Sequence, residues 1–120
     1  MTKILAVDDS NSIREMVVFI LKDAGFDVDE AHDGQQALQS AQKKQYDLIL
    51  SDVNMPNMGG IELVEQLRQL SSYRFTPILM ITTESTAEKK LEGKKAGATG
   101  WIVKPFQPEH LLATVKRVID

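Results

Sequence analysis

The chain has 120 residues, of which 42% are hydrophobic and 26% are charged, and its formal net charge is −3. This length fits one domain spanning residues 1–120, and the composition excludes a disordered chain and a collagen-like repeat. The absence of cysteine excludes disulfides, thiolate metal sites and cysteine nucleophiles. The acidic balance argues against nucleic acid as a partner, and the apolar run at residues 4–7 is too short for a signal peptide or a membrane span. We therefore expect a cytoplasmic protein that contacts no membrane.

Apolar runs alternate with helical periodicity through the first half of the chain. The run Ile4–Val7 predicts a buried strand, and a continuous apolar face predicts a helix over Ser12–Ala24. The segment Phe26–Ala31 alternates apolar and acidic residues, which is typical of a strand at the edge of a sheet. A second helix is predicted over Gly34–Lys44, and the apolar run Leu48–Leu50 predicts a third strand.

The second half of the chain repeats this alternation. Apolar positions within Ile61–Leu70 predict a third helix, and the run Pro77–Ile81 predicts a fourth strand. A weakly amphipathic helix is predicted over Thr86–Ala96, followed by a fifth strand at Trp101–Val103. Apolar residues on one side of Leu111–Ile119 predict the last helix.

Five short strands alternating with five helices predict an α/β fold in which a mostly parallel sheet is covered on both faces. In such folds ligands bind beyond the carboxyl ends of the strands, so the residues that end each strand are the informative ones. Here these residues are Asp8 and Asp9 after the first strand, Asp52 after the third, Thr82 after the fourth and Lys104 after the fifth. The sequence therefore predicts three carboxylates, a hydroxyl and an ammonium in one crevice.

Three crowded carboxylates repel one another, and a bound divalent cation would remove that conflict. Oxygen ligands from few protein donors suit Mg²⁺, which keeps several of its waters. The alternative is that Asp8 and Asp9 only cap the following helix, as aspartate often does. Two adjacent aspartates with a third, Asp52, at another strand end favour the magnesium site.

Four segments together resemble the receiver domain of bacterial response regulators, most closely the stand-alone CheY-like type. They are Asp8–Asp9, Asp52–Gly60, Thr82 and Lys104–Phe106, in the order and at the intervals of that family. The resemblance covers the whole chain. It implies a receiver domain over residues 1–120 with a doubly wound, flavodoxin-like sheet of strand order 2-1-3-4-5.

The resemblance implies a role for each acidic residue. Asp52 would be the phosphoacceptor that takes a phosphoryl group from a kinase phosphohistidine. Asp9 and Asp52 would bind Mg²⁺ directly, together with the backbone carbonyl of Asn54, and Asp8 would act mainly through metal-bound water. These roles agree with the chemistry of phosphoryl transfer, which needs in-line positioning and charge neutralisation.

The remaining implied roles concern the acquired phosphoryl group and the response to it. Thr82 would form a hydrogen bond with that group, and Lys104 would form an ion pair with it. Thr82 and Trp101 would act as the switch, with Trp101 standing where the family usually has Tyr or Phe. The resemblance also implies an output face on the fourth helix, fifth strand and fifth helix.

The implied function is that of a signalling phosphoprotein rather than an enzyme, since it would catalyse only its own phosphorylation and dephosphorylation. The phosphodonor would be a CheA-like histidine kinase, and the downstream partner a protein such as the flagellar motor switch or a phosphatase. This fits a monomer that acts in chemotaxis or motility control. A phosphate-sink receiver that drains a shared kinase is the first alternative.

Three further alternatives are two proteins of other classes and one inactive receiver-like module that only binds proteins. An aspartyl-nucleophile phosphohydrolase needs a second aspartate as general acid two residues after the nucleophile, and here that residue is Asn54. A flavodoxin-like FMN binder needs a Ser/Thr/Gly-rich loop after the first strand, but Asp8 and Asp9 open that loop with negative charge. An inactive receiver-like module is disfavoured by the intact set of aspartate, threonine and lysine residues.

Three further predictions concern the Lys104–Pro105 bond, the pair Asn54 and Glu84, and the side chain of Trp101. The strand-end turn at Lys104–Pro105 predicts a cis peptide bond, for which X-Pro sequences have a small energetic cost. The resemblance implies that Asn54 and Glu84 flank the path of the water that hydrolyses the phosphoryl group, which predicts a short-lived phosphoprotein; the alternative is that both are exposed loop residues without this role. Trp101 and Lys104 are three residues apart in an extended segment, so Trp101 should face the outer layer beside the fourth helix.

Overall fold

The structure, a computed structural model, describes residues 1–119 and consists of strands and helices in strict alternation. The strands are β1 (Lys3–Val7), β2 (Asp27–Ala31), β3 (Leu48–Ser51), β4 (Ile78–Thr82) and β5 (Gly100–Val103). The α-helices are α1 (Asn11–Asp23), α2 (Gly34–Lys43), α3 (Gly60–Arg68), α4 (Ala87–Ala96) and α5 (Pro108–Ile119). A short 3₁₀ helix, Ser71–Tyr73, precedes β4.

The five strands form one parallel sheet of order β2-β1-β3-β4-β5, which confirms the predicted fold class. β1 pairs with β2 on one side and with β3 on the other, so the direction in which successive strands are added to the sheet reverses at β1. All strands run the same way, and their carboxyl ends therefore meet at one edge of the sheet. The loops after β1, β3, β4 and β5 emerge side by side at that edge.

Side chains of the central strands alternate between two buried layers. Leu5 and Val7 of β1 pack in the layer beneath α2 and α3, whereas Ile4 and Ala6 pack beneath α1 and α5. Burial on both faces explains why the central strands are continuous apolar runs, and why only the edge strand β2 carries alternating acidic residues. The buried strands hold the residues that follow them in fixed positions.

The observed helix ends lie within a few residues of those predicted from the sequence. Thr86 caps α4 rather than opening it, because its Oγ1 accepts a hydrogen bond from the Lys89 backbone N–H at 3.2 Å. Gly97 ends α4 with a φ of 114°, a left-handed conformation that glycine adopts without strain. α5 begins at Pro108, before the apolar residue Leu111, since proline is favoured in the first helical turn. Within residues 1–119, no helix has the length and apolar character needed to cross a membrane.

The 3₁₀ helix was not predicted from the sequence. Its Tyr73 is fully buried, and its hydroxyl lies 2.5 Å from the Lys44 carbonyl oxygen and 2.9 Å from the Ala41 carbonyl oxygen while accepting from the Tyr46 backbone N–H at 3.2 Å. Burial raises the pKa of the Tyr73 hydroxyl, which therefore stays protonated as a donor. This tyrosine joins the end of α2 to the segment before β4.

Candidate functional site

Three carboxylates meet at the carboxyl edge of the sheet. Asp8 and Asp9 follow β1, Asp52 follows β3, and one oxygen of each lies within 4.8 Å of the others. Asp8 and Asp52 are buried, whereas Asp9 is exposed. The pairing of β1 with β3 creates this cluster, since it aligns Val7 with Ser51 and so brings the residues after them together.

Lys104 reaches into this cluster from the end of β5. Its Nζ lies 2.8 Å from Asp8 Oδ2 and 3.3 Å from Asp52 Oδ2, so one ammonium bridges two carboxylates. Burial alone would lower the pKa of the Lys104 ammonium, but the hydrogen bond to Asp8 and the charge of Asp52 outweigh burial and raise it. Lys104 is therefore protonated at neutral pH. The Lys104–Pro105 peptide bond is cis, as the sequence predicted.

Backbone groups orient the remaining oxygens of two of the carboxylates. Asp52 Oδ1 accepts a hydrogen bond from the Val53 N–H at 2.7 Å, and Asp8 Oδ1 accepts one from the Ser10 N–H at 2.9 Å. The Arg14 guanidinium donates to the Asp8 carbonyl oxygen at 2.6 Å and so fixes the end of β1. This all-oxygen donor set fits Mg²⁺, which prefers carboxylate, carbonyl and water ligands.

Thr82 is completely buried at the end of β4. Its Oγ1 accepts a hydrogen bond from the Glu84 backbone N–H at 3.2 Å, and the carboxylate of Glu84 accepts one from Asn54 Nδ2 at 3.2 Å. The loops after β3 and β4 are thus joined across the mouth of the crevice. Asn54 and Glu84 were expected beside the site, but this hydrogen bond was not predicted from the sequence.

Trp101 lies on β5 and packs against α4, on the side that the strand alternation predicted. Its ring packs against Gly93, where an added Cβ would lie 2.6 Å from the Trp101 Cζ3. Gly93 is the buried residue of α4, whose other side chains are all at least partly exposed. The six-membered ring of Trp101 therefore occupies space that any residue other than glycine would fill.

Comparison with known proteins settles the family. Residues 4–116 match the response regulator receiver domain family. The chain belongs to that family. It is 41% identical over 98% of its length to the chemotaxis protein CheY-3 of Vibrio cholerae, covering 88% of that protein. It is 40% identical over 99% of its length to the response regulator ArlR of Staphylococcus saprophyticus, of which it spans 53%.

Solved structures agree with this assignment. The Vibrio cholerae chemotaxis protein CheY4 superposes with a TM-score of 0.95 at 61% identity, with 98% of each chain covered. The receiver domain of the sensor histidine kinase PA1611 from Pseudomonas aeruginosa superposes with a TM-score of 0.92 at 28% identity, covering 98% of this chain and 97% of that one. That structure holds a magnesium ion coordinated in its active-site cleft.

Two residues of this receiver domain that sequence analysis missed link α2 to the loop after β3. The Asp33 carboxylate accepts a hydrogen bond from Asn57 Nδ2 at 2.8 Å. Its other oxygen accepts from the Gln36 backbone N–H at 2.8 Å and caps α2. These two donors lower the pKa of Asp33, with the Gln36 N–H as the larger cause. The capping pattern of Asp33 and Gln36 could have been found in the sequence, but the pairing with Asn57 could not.

Proposed function

We propose that this receiver domain takes a phosphoryl group from the phosphohistidine of a histidine kinase onto Asp52, in the presence of Mg²⁺. The observation that carries the proposal is the bridging ammonium of Lys104, which lies within 3.3 Å of both Asp8 and Asp52 in an otherwise acidic crevice. Such an arrangement supplies a nucleophile, oxygen ligands and a fixed positive charge. These are the parts that phosphoryl transfer requires.

The Asp52 carboxylate would attack phosphorus in line with the bond to the kinase imidazole nitrogen. A new oxygen–phosphorus bond forms, the nitrogen–phosphorus bond breaks, and the imidazole leaves with that electron pair and takes up a proton. The Val53 N–H holds one Asp52 oxygen in place during this step. Asp8, Asp9, Asp52 and the Asn54 carbonyl would hold the Mg²⁺, which when bound neutralises the charge between acceptor and donor.

Two side chains would respond to the new phosphoryl group. Lys104 would exchange its contact with Asp52 for the phosphoryl oxygens, because the dianionic group carries more negative charge than a carboxylate. The Thr82 hydroxyl, which now accepts from the Glu84 N–H, would donate to a phosphoryl oxygen. Movement of Thr82 and Glu84 would then reach Trp101, and these residues form the proposed switch.

Mass spectrometry after incubation with acetyl phosphate tests the acceptor assignment. Wild-type protein is expected to gain one phosphoryl group with MgCl₂ and none with EDTA. Asp52→Asn should incorporate none, whereas Asp23→Asn, which changes an exposed aspartate at the end of α1, should behave as wild type. Phosphate incorporation into Asp52→Asn at the wild-type rate would refute the proposal.

We infer that the signalling pathway is one of chemotaxis or motility control. The similarity to CheY-3 and CheY4 supports this, and it favours a CheA-like histidine kinase as donor. The downstream partner would be a protein such as the flagellar motor switch or a phosphatase. Capture of binding proteins by the phosphorylated form from a motile cell extract tests this, and the absence of any phosphorylation-dependent partner would favour the phosphate-sink alternative.

The output face would consist of α4, β5 and α5. Lys90, Lys94 and Trp101 line one recess, and this combination of ammonium groups with an aromatic surface suits an acidic partner segment. We further infer a monomeric regulator in which residues 1–120 act as one receiver domain. Its place would be the cytoplasm, where ATP phosphorylates the donor kinase.

A further inference from the structure

The loop between β3 and α3, residues 52–59, is tied to the start of α2 by two hydrogen bonds. Asn57 Nδ2 donates to Asp33 Oδ2 at 2.8 Å, and the Gly34 backbone N–H donates to the Met58 carbonyl oxygen at 3.0 Å. The approach is close, since a Cβ on Gly34 would lie 2.4 Å from that Met58 oxygen. We call the Asp33–Asn57 hydrogen bond the loop strap.

Asp33 does more than a helix cap requires. Capping α2 uses only Oδ1, which accepts from the Gln36 N–H, and a serine could make that bond equally well. The second oxygen accepts from Asn57 Nδ2 at 2.8 Å and also lies 3.4 Å from His32 Nδ1, and the residue is 96% buried because its relative exposure is 4%. A buried carboxylate with both oxygens occupied by defined donors is a rigid anchor point.

Asn57 is the residue through which the loop is held. Its φ of 68° is the one positive value among the non-glycine residues that the structure describes, and asparagine tolerates this conformation better than most side chains. The Gly60 N–H closes the same loop by donating to the Val53 carbonyl oxygen at 2.8 Å. The strap and this closing bond hold the loop at its middle and at its base.

We propose that Asp33 and Asn57 are positioning residues for the metal site, acting through the backbone of Asn54. This inference rests on the proposed function, in which the Asn54 carbonyl is a Mg²⁺ ligand. α2 supplies no ligand of its own. It fixes a strap to the loop three residues beyond Asn54, and so restricts where that carbonyl can point. Groups that orient a ligand contribute to metal affinity without touching the ion.

Two variants break the strap while sparing the local structure. Asp33→Ser keeps an oxygen for the cap of α2, and Asn57→Gly keeps a residue that tolerates the positive φ. Calorimetric titration of the unphosphorylated protein with MgCl₂ should show that the dissociation constant for Mg²⁺ rises about 10-fold in each, the lower edge of outer-shell effects. The double variant should lose no more than the weaker-binding single variant, because both remove one interaction.

Phosphorylation by acetyl phosphate gives a second readout. The Mg²⁺ concentration for half-maximal rate should rise by the same factor, while the rate at saturating Mg²⁺ stays near that of wild type. Gln35→Ala is the matched control, since it changes an exposed side chain of α2 near Asp33 but leaves the strap and the hydrogen bonds of Gln36 intact, and its Mg²⁺ affinity should equal that of wild type. Thermal unfolding establishes that each variant is folded. If Asp33→Ser does not fold, the measurements on Asn57→Gly decide the test.

Three results would overturn the inference, on two different grounds. Unchanged Mg²⁺ affinity in folded strap variants, or losses that multiply in the double variant, would mean that the strap does not act on the metal site. In that case the wild type still binds Mg²⁺ and is phosphorylated, so the proposed function stands. A wild type that binds no Mg²⁺ would instead remove the proposed function and the inference together.

Discussion

The indole Nε1 of Trp101 donates a hydrogen bond to the backbone carbonyl oxygen of Glu84 at 2.8 Å. The backbone N–H of the same Glu84 donates to Thr82 Oγ1, and its carboxylate accepts from Asn54. One residue therefore contacts the proposed phosphoryl-binding hydroxyl, the mouth of the crevice and the aromatic side chain on the outer face. A movement of the Thr82 hydroxyl can therefore shift Trp101 through the two hydrogen bonds that the Glu84 backbone forms with these side chains.

The first prediction concerns this route. Mg²⁺ with beryllofluoride, a phosphoryl mimic, should change the fluorescence of Trp101, because drawing Thr82 toward the mimic releases the Glu84 N–H and shifts the carbonyl that holds the indole. Trp101 is the only tryptophan, so its emission needs no deconvolution. The change should largely vanish in Thr82→Ala. Unchanged emission from a demonstrably phosphorylated sample would mean that Trp101 is a fixed packing residue.

The second prediction concerns Gly93. Alanine is favoured over glycine inside a helix by about 1 kcal/mol. In this chain, however, the new Cβ would lie 2.6 Å from the Trp101 ring, and overpacking of this kind costs about 1–3 kcal/mol. Gly93→Ala should therefore lower the free energy of unfolding by about 1 kcal/mol and shift Trp101 emission to the red as the ring is displaced.

Removal of the large Trp101 ring should reverse the sign of the effect that Gly93→Ala has on the free energy of unfolding. In a Trp101→Ala background, Gly93→Ala should raise the free energy of unfolding by about 1 kcal/mol, since only the helical preference remains. Urea denaturation of the four proteins measures both effects. Equal effects of Gly93→Ala in the two backgrounds would show that the ring and the glycine are not coupled.

The third prediction concerns Asp9 and metal removal. Within residues 1–119, Asp9 forms no ion pair, although its carboxylate lies in the cluster with Asp8 and Asp52. Without Mg²⁺ its charge repels the carboxylates of Asp8 and Asp52, by roughly 1 kcal/mol for each pair of water-screened charges about 4 Å apart, and the Lys104 ammonium is already shared by those two residues. Asp9→Asn should therefore be more stable than wild type in EDTA. It should also lose the gain in melting temperature that MgCl₂ gives the wild type, and a full gain in the variant would contradict the metal assignment.

The fourth prediction concerns the lifetime of the phosphoryl group. Asn54 and Glu84 are joined at 3.2 Å across the crevice mouth, where both can form hydrogen bonds with an attacking water. We expect loss of the phosphoryl group well within hours in Mg²⁺ buffer, and slower loss in Glu84→Ala. Following dephosphorylation by mass spectrometry measures this. A wild-type lifetime of many hours would rule out a water-orienting role for the pair.

The fifth prediction concerns acid. The Gln36 N–H and the Asn57 amide lower the pKa of Asp33 below its ordinary value of 3.8, so folding favours the ionised carboxylate. Its contribution to stability is complete above the ordinary pKa and is lost as the pH falls through the lowered one. The stability difference between wild type and Asp33→Ser should therefore shrink in acid. A difference that is constant from neutral pH into strong acid would contradict this.

The fold and the members of the crevice were predictable because both follow from strand ends. Apolar runs located the strands, and the residues after them had to meet at one edge of a parallel sheet. Asp8, Asp52 and Lys104 were found together for this reason. The chemistry of their side chains then indicated a metal ion and a fixed cation.

Contacts between loops could not be predicted in this way. The bonds from Asn54 to Glu84 and from Asn57 to Asp33 depend on loop conformations that no periodicity encodes. The burial of Tyr73 in a 3₁₀ helix has the same origin, since a three-residue turn is too short to show a repeating apolar pattern. The sequence gives the types of these residues but not their partners.

The fit between Trp101 and Gly93 limits how this pair of positions can change over evolutionary time. A lineage that replaced Gly93 first would pass through a clashing intermediate, whereas one that first exchanged Trp101 for a smaller ring would free position 93 to vary. The two substitutions thus have a preferred historical order. Among relatives, a tryptophan on β5 should be accompanied by glycine on α4, and the two positions should covary even though they are eight residues apart in the chain.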